Sequence, residues 1–305
     1  MSGDTPRVSV VIPTVGRPEL SEAVTSALSQ TLPPTEILVC ADTSDPIEVP
    51  DHPSVRILRV GPGAGGNAAR DAGIRAAAGN LIALLDDDDV WHDGRLETQL
   101  NAIRSAGLHD HDAWIASCSV QVSRSGQFVD VWPHDVYDEV RPLAEYLFAR
   151  TAARGGTGFI QASTLLFPRW LALDVPFDAG LRFHQDVTWL LETVRQHSRL
   201  RILQIKAPLV VYRVGAASVS SAIRADASTE WALEYVSRHS RRALGDFLLT
   251  QPVYYARAGG NLPAALRAVR LGIRRGRPSA SAVAYAFFTV GRIVVDRSFG
   301  HMARA

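Results

Sequence analysis

Cysteine is scarce: Cys40 and Cys118 are the only two in 305 residues. They supply neither a disulfide framework nor a metal-binding spacing, which fits a reducing compartment. Lysine is nearly absent, with Lys206 alone, so arginine carries almost all the positive charge. No run approaches the roughly 20 consecutive apolar residues that cross a bilayer. The best candidate, Ala280–Val295, is shorter and is interrupted by Arg292. The opening MSGDTPRVSVVIP has no basic region followed by a long apolar stretch, so no signal peptide is expected. Together these absences point to the cytoplasm, with a peripheral place at the inner face of the membrane left open. Repeats and low-complexity tracts are also missing. Apolar residues are not: 47% hydrophobic against 21% charged excludes a disordered chain and is ordinary for a globular enzyme.

The formal charge of +1 hides an asymmetry. From Tyr254 to Ala305 there are nine arginines and one acid, Asp296, so this tail carries +8 and the rest of the chain −7. A basic tail suits an anionic partner such as a membrane surface, and equally a solvated helical face in an arginine-preferring chain.

Short apolar runs alternate with helical patterns through the first half, the mark of a parallel sheet with crossover helices. Strands are expected at Val8–Ile12 (ended by Pro13), Glu36–Cys40, Val55–Val60 and Leu81–Leu85. Helices are expected at Pro18–Gln30 and Asn67–Ala78. Gly61–Gly66 reads as a flexible loop. Further on, Arg95–Ala106 and Asp186–His197 read as helices. Ala113–Val122, Phe159–Phe167, Leu200–Ile205 and Leu209–Val214 read as strands. Helices follow from about Ala225. Ligands of such sheets sit beyond the carboxyl ends of the strands, where Asp42 and Asp86–Asp89 both fall.

Asp86–Asp89 is the most informative feature. Adjacent carboxylates repel, and at a strand end they cost stability unless a cation or solvent compensates them. Hard oxygen ligands suit Mg²⁺ or Mn²⁺, which need only one or two protein carboxylates when diphosphate oxygens complete the shell. A solvated acidic turn capping the next helix is the bland alternative. A calcium loop fits less well, because alternate-position acids and a closing Glu are missing.

These segments carry a resemblance. Val8-Ser9-Val10-Val11-Ile12-Pro13-Thr14 resembles the opening strand of the family 2 glycosyltransferases, and Leu85-Asp86-Asp87-Asp88-Asp89 resembles their DxD-type motif. Gly65-Gly66-Asn67-Ala68-Ala69-Arg70-Asp71-Ala72-Gly73 is similar to their GxxxARNxG segment, and Asp42-Thr43-Ser44-Asp45 to the end of their DDGSTD loop. Four motifs in the right order are specific. Weaker similarity continues through Phe183-His184-Gln185-Asp186 and Val211-Tyr212-Arg213, about two-thirds of the chain.

The resemblance implies an α/β fold of GT-A type: a Rossmann-like, mostly parallel central sheet flanked by helices, with a helical C-terminal extension. The implied division is a catalytic domain over 1–224, split at about 110 into nucleotide-sugar and acceptor halves, and an extension over 225–305. It implies a metal-dependent, inverting, single-addition glycosyltransferase using a UDP- or dTDP-sugar, UDP first. Its acceptor would be a sugar, a lipid-linked molecule or a small molecule, and no nucleic acid is expected as a partner. Pro13, Thr14, Arg17, Asp42, Arg70, Asp86 and Asp87 would bind the nucleotide-sugar, with Asp42 reading the base. Asp88 would ligate Mn²⁺ or Mg²⁺, with Asp89 supporting it. Asp186 would be the base that takes the acceptor's proton; an ordinary helix N-cap is its alternative, and His184 is a weaker candidate.

Several residues depart from the family pattern. Ala41 stands for the first Asp of the loop, Asp71 for Asn and Gln185 for an acid. No His follows Tyr212-Arg213, and Arg169-Trp170 is preceded by Leu166 where processive synthases carry Gln. A catalytically impaired nucleotide-sugar binder therefore stays open, as does a sugar nucleotidyltransferase, for which Pro13–Pro18 is a poor phosphate loop. Gly155–Gly158 reads as an acceptor-side loop. The tail helices Leu262–Arg275 and Ala280–Val295 suit a membrane interface, a homodimer contact or packing on the catalytic domain.

Overall fold

The computed structural model describes residues 6–150, 158–214 and 224–302, the side chains of the last helix being described through Asp296. The chain divides into two compact units. The first comprises the described residues up to Asp138 together with those from Phe159 to Val214. The second holds Glu139–Arg150, Gly158 and everything described from Arg224 onward.

The first unit is built on one sheet. Strand β1 (Val8–Thr14) is buried along its whole length, as its β-branched run requires of a strand covered on both faces. It pairs in parallel with β2 (Glu36–Ala41) on one side and β4 (Leu81–Leu84) on the other, and β2 pairs in parallel with β3 (Val55–Arg59). Helices α1 (Leu20–Leu28) and α2 (Gly66–Ala76) are the crossovers. Pro13 does not end β1 but lies within it, opposite Cys40. Val11 gives its carbonyl to Leu85 on the β4 side, while Thr14 gives its own to Asp42 on the β2 side. Alternation therefore turns the missing N–H of Pro13 toward the side where β4 has already stopped, and no ladder bond is lost.

Beyond β4 the sheet changes character. Its order is β3-β2-β1-β4-β8-β6-β9-β5, with β7 (Gln127–Trp132) added to β6. The short β8 (Leu166–Pro168) is antiparallel to both β4 and β6 (Trp114–Arg124), whereas β9 (Arg201–Val214) runs parallel to β6. The two expected strands at Leu200–Ile205 and Leu209–Val214 are thus one, its ladder shifting register against Cys118–Val120 around Pro208. Of Phe159–Phe167, expected as a strand, Phe159–Gln161 is irregular, Ala162–Thr164 is a 3-10 turn, and only Leu166 and Phe167 belong to a strand, as the start of β8. Two-residue β5 (Val90–Trp91) pairs with β9. Helices α3 (Arg95–Ser105), α5 (Arg169–Asp174) and α6 (Gln185–Gln196) complete this unit.

The second unit is helical. It joins α4 (Leu143–Phe148) to α7 (Ala225–Glu234), α8 (Arg241–Ala258), α9 (Leu262–Arg275) and α10 (Ala280–Met302). The residues of α4 group with these helices rather than with their sequence neighbours for visible reasons. Ser240, the N-cap of α8, donates to Glu145 at 2.6 Å, and Phe148 stacks edge-on against Trp231 and Phe247. Asp246, fully buried, accepts from the Arg150 and Ser279 amides and pairs with Arg242 at 2.9 Å. Among the described residues no helix is long and apolar enough to cross a membrane.

Candidate active site

The carboxyl ends of β1, β2 and β4 deliver the acidic residues singled out from sequence, and each of the four consecutive aspartates meets a different partner. Asp86 receives Arg70 Nη2 at 2.6 Å, and its amide donates to Ser163 Oγ at 2.9 Å. Asp87 accepts from Thr14 Oγ1 at 2.6 Å and lies 3.6 Å from Arg17 Nε. Asp88 is held by Arg17 Nη1. Asp89 is buried and takes three donors: Gln161 Nε2 at 2.7 Å, Ser163 Oγ at 2.6 Å and the Arg213 amide at 3.1 Å. The mutual repulsion expected of four adjacent carboxylates is thus divided among two guanidiniums and several neutral donors.

Their titration reflects the same crowding. Burial pushes Asp87 up to about 6, with Thr14 and Arg17 pulling the other way. Burial, reinforced by Asp86 and Asp88, pushes Asp89 up to about 8. Asp88 is also raised, by burial and then by Asp86. Asp86 and Asp88 are the two whose side chains stay reachable, each 31% exposed. Among the described residues no cluster of three or more His, Cys, Asp and Glu side chains could hold a metal by itself. Two reachable carboxylates suit a hard cation whose remaining ligands come from a phosphate-bearing substrate.

Asp42 does something the sequence did not disclose. Its carboxylate accepts the Ala64 amide on one oxygen and the Gly65 amide on the other, both at 2.7 Å, tying the glycine loop to the end of β2. Gly65 has φ +96°, a region open to glycine, and a Cβ at Gly61 would stand 1.6 Å from the Asp42 Oδ1. Arg70, on α2, connects the two halves of this unit. Besides Asp86 it donates to Gln185 Oε1 at 2.8 Å and to Asn67 at 3.3 Å, while its Nε is buried without an acceptor. Asp71, its neighbour in sequence, pairs instead with Arg75 at 2.7 Å.

Asp186 lies in the first turn of α6, entered through His184, whose φ of +55° is uncommon for a residue with a Cβ. Its Oδ2 accepts the Ala162 amide at 3.1 Å and its Oδ1 the Val187 amide at 2.9 Å. Burial raises its pKa; Arg70 opposes this and Asp86 adds to it, so all three act on one another across the site. His184 is lowered to about 4 by burial, which keeps its ring neutral. Residues Pro13, Thr14, Arg17, Asp42, Arg70, Asp86, Asp87, Asp88 and Asp186 therefore all belong to the sheet unit and converge on its strand ends. Of the Gly155–Gly158 loop only Gly158 is described, and it belongs to the second unit. The stretch after Val214, where the family's His would fall, is outside the described residues.

Sequence reasoning missed three groups. Gln161 and Ser163 anchor Asp86 and Asp89, yet a Gln-Ala-Ser tripeptide carries no periodic signal. Arg182 reaches to 3.3 Å from the point where a Gly65 Cβ would sit, placing another cation beside the glycine loop. Trp132, Phe159 and Tyr212 cluster with ring centroids 5.4–6.4 Å apart. The Tyr212 hydroxyl is raised by burial and then by Asp89 and Asp186, so this aromatic group borders the acids.

Comparison with known proteins identifies the family and the fold. Residues 9–162, about half the chain, match the family model described as "Glycosyl transferase family 2". The amylovoran biosynthesis glycosyltransferase AmsB of Erwinia amylovora is 35% identical over 121 residues, 40% of this chain and 38% of that protein. The UDP-Glc:alpha-D-GlcNAc-diphosphoundecaprenol beta-1,3-glucosyltransferase WfgD of Escherichia coli is 32% identical over 101 residues, 31% of this chain and 40% of that one. The matched stretches thus span well under half the length of these relatives. Among solved structures, S. aureus TarS 1–349 in complex with UDP-GlcNAc superposes with a TM-score of 0.60 at 15% identity, covering 96% of this chain and 92% of that one. At that identity the likeness is one of fold.

Proposed function

The chain belongs to glycosyl transferase family 2, and from that premise we propose that it transfers a sugar from a nucleoside-diphosphate donor, UDP first, to an acceptor hydroxyl with inversion at the anomeric carbon. The observation that carries this reading is the pairing of Asp86 with Arg70 and of Asp88 with Arg17 just past β4, with Asp186 of α6 acting on the same Arg70 and Asp86, and with Asp42 just past β2 of the same sheet. The UDP-GlcNAc in TarS and the UDP-Glc in the name of WfgD support the uridine donor.

Each residue has a task in such a reaction. Asp42, already fixing the glycine loop, presents a carboxylate at the place where a base N–H would be read. Arg70 keeps an unsatisfied Nε and the forked geometry that suits phosphate oxygens. Asp88, with Asp86 beside it, would hold Mg²⁺ or Mn²⁺. When bound, that ion supplies Lewis-acid stabilisation of the departing diphosphate. Arg17, which pairs with the Asp88 carboxylate, offsets part of the negative charge of the acidic loop.

Asp186 is the base. As the acceptor oxygen bonds to the anomeric carbon and the bond to the diphosphate breaks, Asp186 takes the hydroxyl proton. A carboxylate raised by burial is better matched to this than one at its ordinary value. Its amide contacts to Ala162 and Val187 fix its orientation without consuming a proton donor of the substrate. Trp132, Phe159 and Tyr212 give the neighbouring wall the flat apolar surface on which sugar rings stack.

The test is release of nucleoside diphosphate from a panel of UDP- and dTDP-sugars, with Mn²⁺, with Mg²⁺ and with EDTA. Turnover is expected with a uridine donor and metal. Asp88→Ala should lower it by about 10²-fold or more while the protein stays folded. Full turnover in EDTA, or an unaffected Asp88→Ala enzyme, would refute the metal assignment. Thermal stabilisation by UDP without any turnover would favour an impaired binder.

A further inference from the structure

Helix α10 is apolar on the side turned away from α8 and α9. Its inner stripe is Ala282, Ala286, Thr289 and Ile293, all buried, at the i, i+4, i+7, i+11 spacing of a packed helical face. On this stripe it packs against α8 and α9. At 100° per residue the opposite side carries Val283, Ala284, Phe287, Phe288, Gly291, Val294 and Val295. Phe287 is 76% exposed and Phe288 69%, and Val283, Val294 and Val295 are also exposed. A solvent-facing helix would be polar there. Arg292, at the margin of the stripe beyond Phe288, is its nearest charge.

The surroundings are strongly basic. Helix α9 buries Ala264, Ala265, Ala268 and Gly272 and turns Leu266, Arg270, Ile273 and Arg274 outward. Arg267 is neutralised by Asp226 and Glu230, both at 3.2 Å. By contrast Arg257, Arg270, Arg274, Arg275, Arg277 and Arg292 are exposed and make no ion pair among the described residues. Since α9 and α10 pack on one another and on the same α8, an arginine-studded helix lies beside an apolar one. A symmetric contact between two copies would set these arginines against themselves, which like-charge repulsion opposes. An anionic surface with an apolar interior satisfies both halves at once.

We infer that the outer face of α10, with the arginines of α9, docks on the surface of an anionic lipid bilayer, lying in the interface without crossing it. The inference concerns the helical unit alone and does not depend on the sugar-transfer reading.

The experiment is co-sedimentation of the full chain with vesicles of phosphatidylcholine alone or with about one-third phosphatidylglycerol, at low and at high salt. Sedimentation velocity without lipid is run alongside. Binding should be at least roughly tenfold stronger on the anionic vesicles and should weaken with salt. Phe287→Ser with Phe288→Ser should reduce it on the order of 100-fold, and Arg270→Gln with Arg274→Gln by roughly tenfold on anionic vesicles. All four side chains are exposed, so the thermal transitions should stay close to wild type. Absence of vesicle binding would overturn the inference, as would binding indifferent to lipid charge. So would a concentration-dependent dimer that the two Phe substitutions dissolve while vesicles capture nothing.

Discussion

Gly61 and Asp42 form a steric and electrostatic pair that can be taken apart one atom group at a time. The two 2.7 Å bonds from Ala64 and Gly65 to Asp42 are charge-assisted, a class that contributes about 1.5–3 kcal/mol each when sheltered. Asp42 is only half-buried, so solvent returns part of that, and Asp42→Ala should loosen the loop by about 2 kcal/mol. Gly61→Ala should do the same by another route, since its Cβ would sit 1.6 Å from Oδ1 and 2.8 Å from Cγ of Asp42 and must expel the carboxylate. With Asp42 already alanine, those two atoms, the nearest to the new methyl, are gone, and the Gly63 amide at 2.9 Å still crowds it. The double variant should therefore be less damaged than the sum of the singles, with a coupling of about 1 kcal/mol or more. Hydrogen exchange at the Ala64 and Gly65 amides reads the loop directly, and UDP affinity reads its consequence. Strictly additive effects, or unchanged exchange at those amides in Asp42→Ala, would refute the pairing.

Asp186→Asn keeps an acceptor for the Ala162 amide but no base, so turnover should fall by about 10²–10⁴-fold while UDP affinity, measured by calorimetry, holds; a loss of affinity instead would make it a binding residue. His184 titrates at about 4 in the fold, below its ordinary 6.5, so the unfolded chain binds the extra proton between those values. Stability should hence be complete above pH 6.5 and decline as pH falls toward 4, by roughly 3 kcal/mol in all. His184→Asn, which tolerates the left-handed backbone, should remove that part of the slope in urea titrations across the window. In the helical unit, a Cβ at Gly276 would meet Gly245 Cα at 2.4 Å and the Gly272 carbonyl at 2.6 Å, all backbone, whereas one at Gly272 meets first the Leu249 methyl at 2.2 Å. Gly276→Ala should accordingly lower the thermal transition more than Gly272→Ala, at a cost of about 1–3 kcal/mol.

What sequence disclosed was whatever leaves a periodic or compositional trace. The parallel strands β1, β2 and β4 are continuous apolar runs because both faces are covered, and α2 is bounded by glycines and small residues. Asp42 and Asp86–Asp89 could be brought together on paper because a parallel sheet aligns strand ends. Nothing comparable exists for the second half of the sheet. There β8 is three residues long and β5 two, too short for any period to register, and β9 reads as two strands because Pro208 breaks the pattern but not the ladder. The partners of the acids were hidden for a different reason. Gln161, Ser163 and Gln185 act through side-chain bonds across 72 to 115 positions of chain, and pairing at such range is fixed by the fold rather than by spacing.

The tail shows the limit most clearly. Ala280–Val295 is apolar nearly all round, so its periodicity could not say which stripe faces the protein. Packing decides it through size: the alanines at 282 and 286 let the backbone approach α8 and α9, and the phenylalanines at 287 and 288, too large for that close approach, are left on the far side. Among the described residues of the helix, the two phenylalanines are thus large apolar side chains that packing on α8 and α9 does not use. A helix selected only to complete the bundle would gain nothing from two exposed aromatic rings, since each remains in water at a cost that a polar residue would avoid. Two exposed rings beside six arginines that make no ion pair among the described residues are what an external anionic, apolar partner explains and internal packing does not.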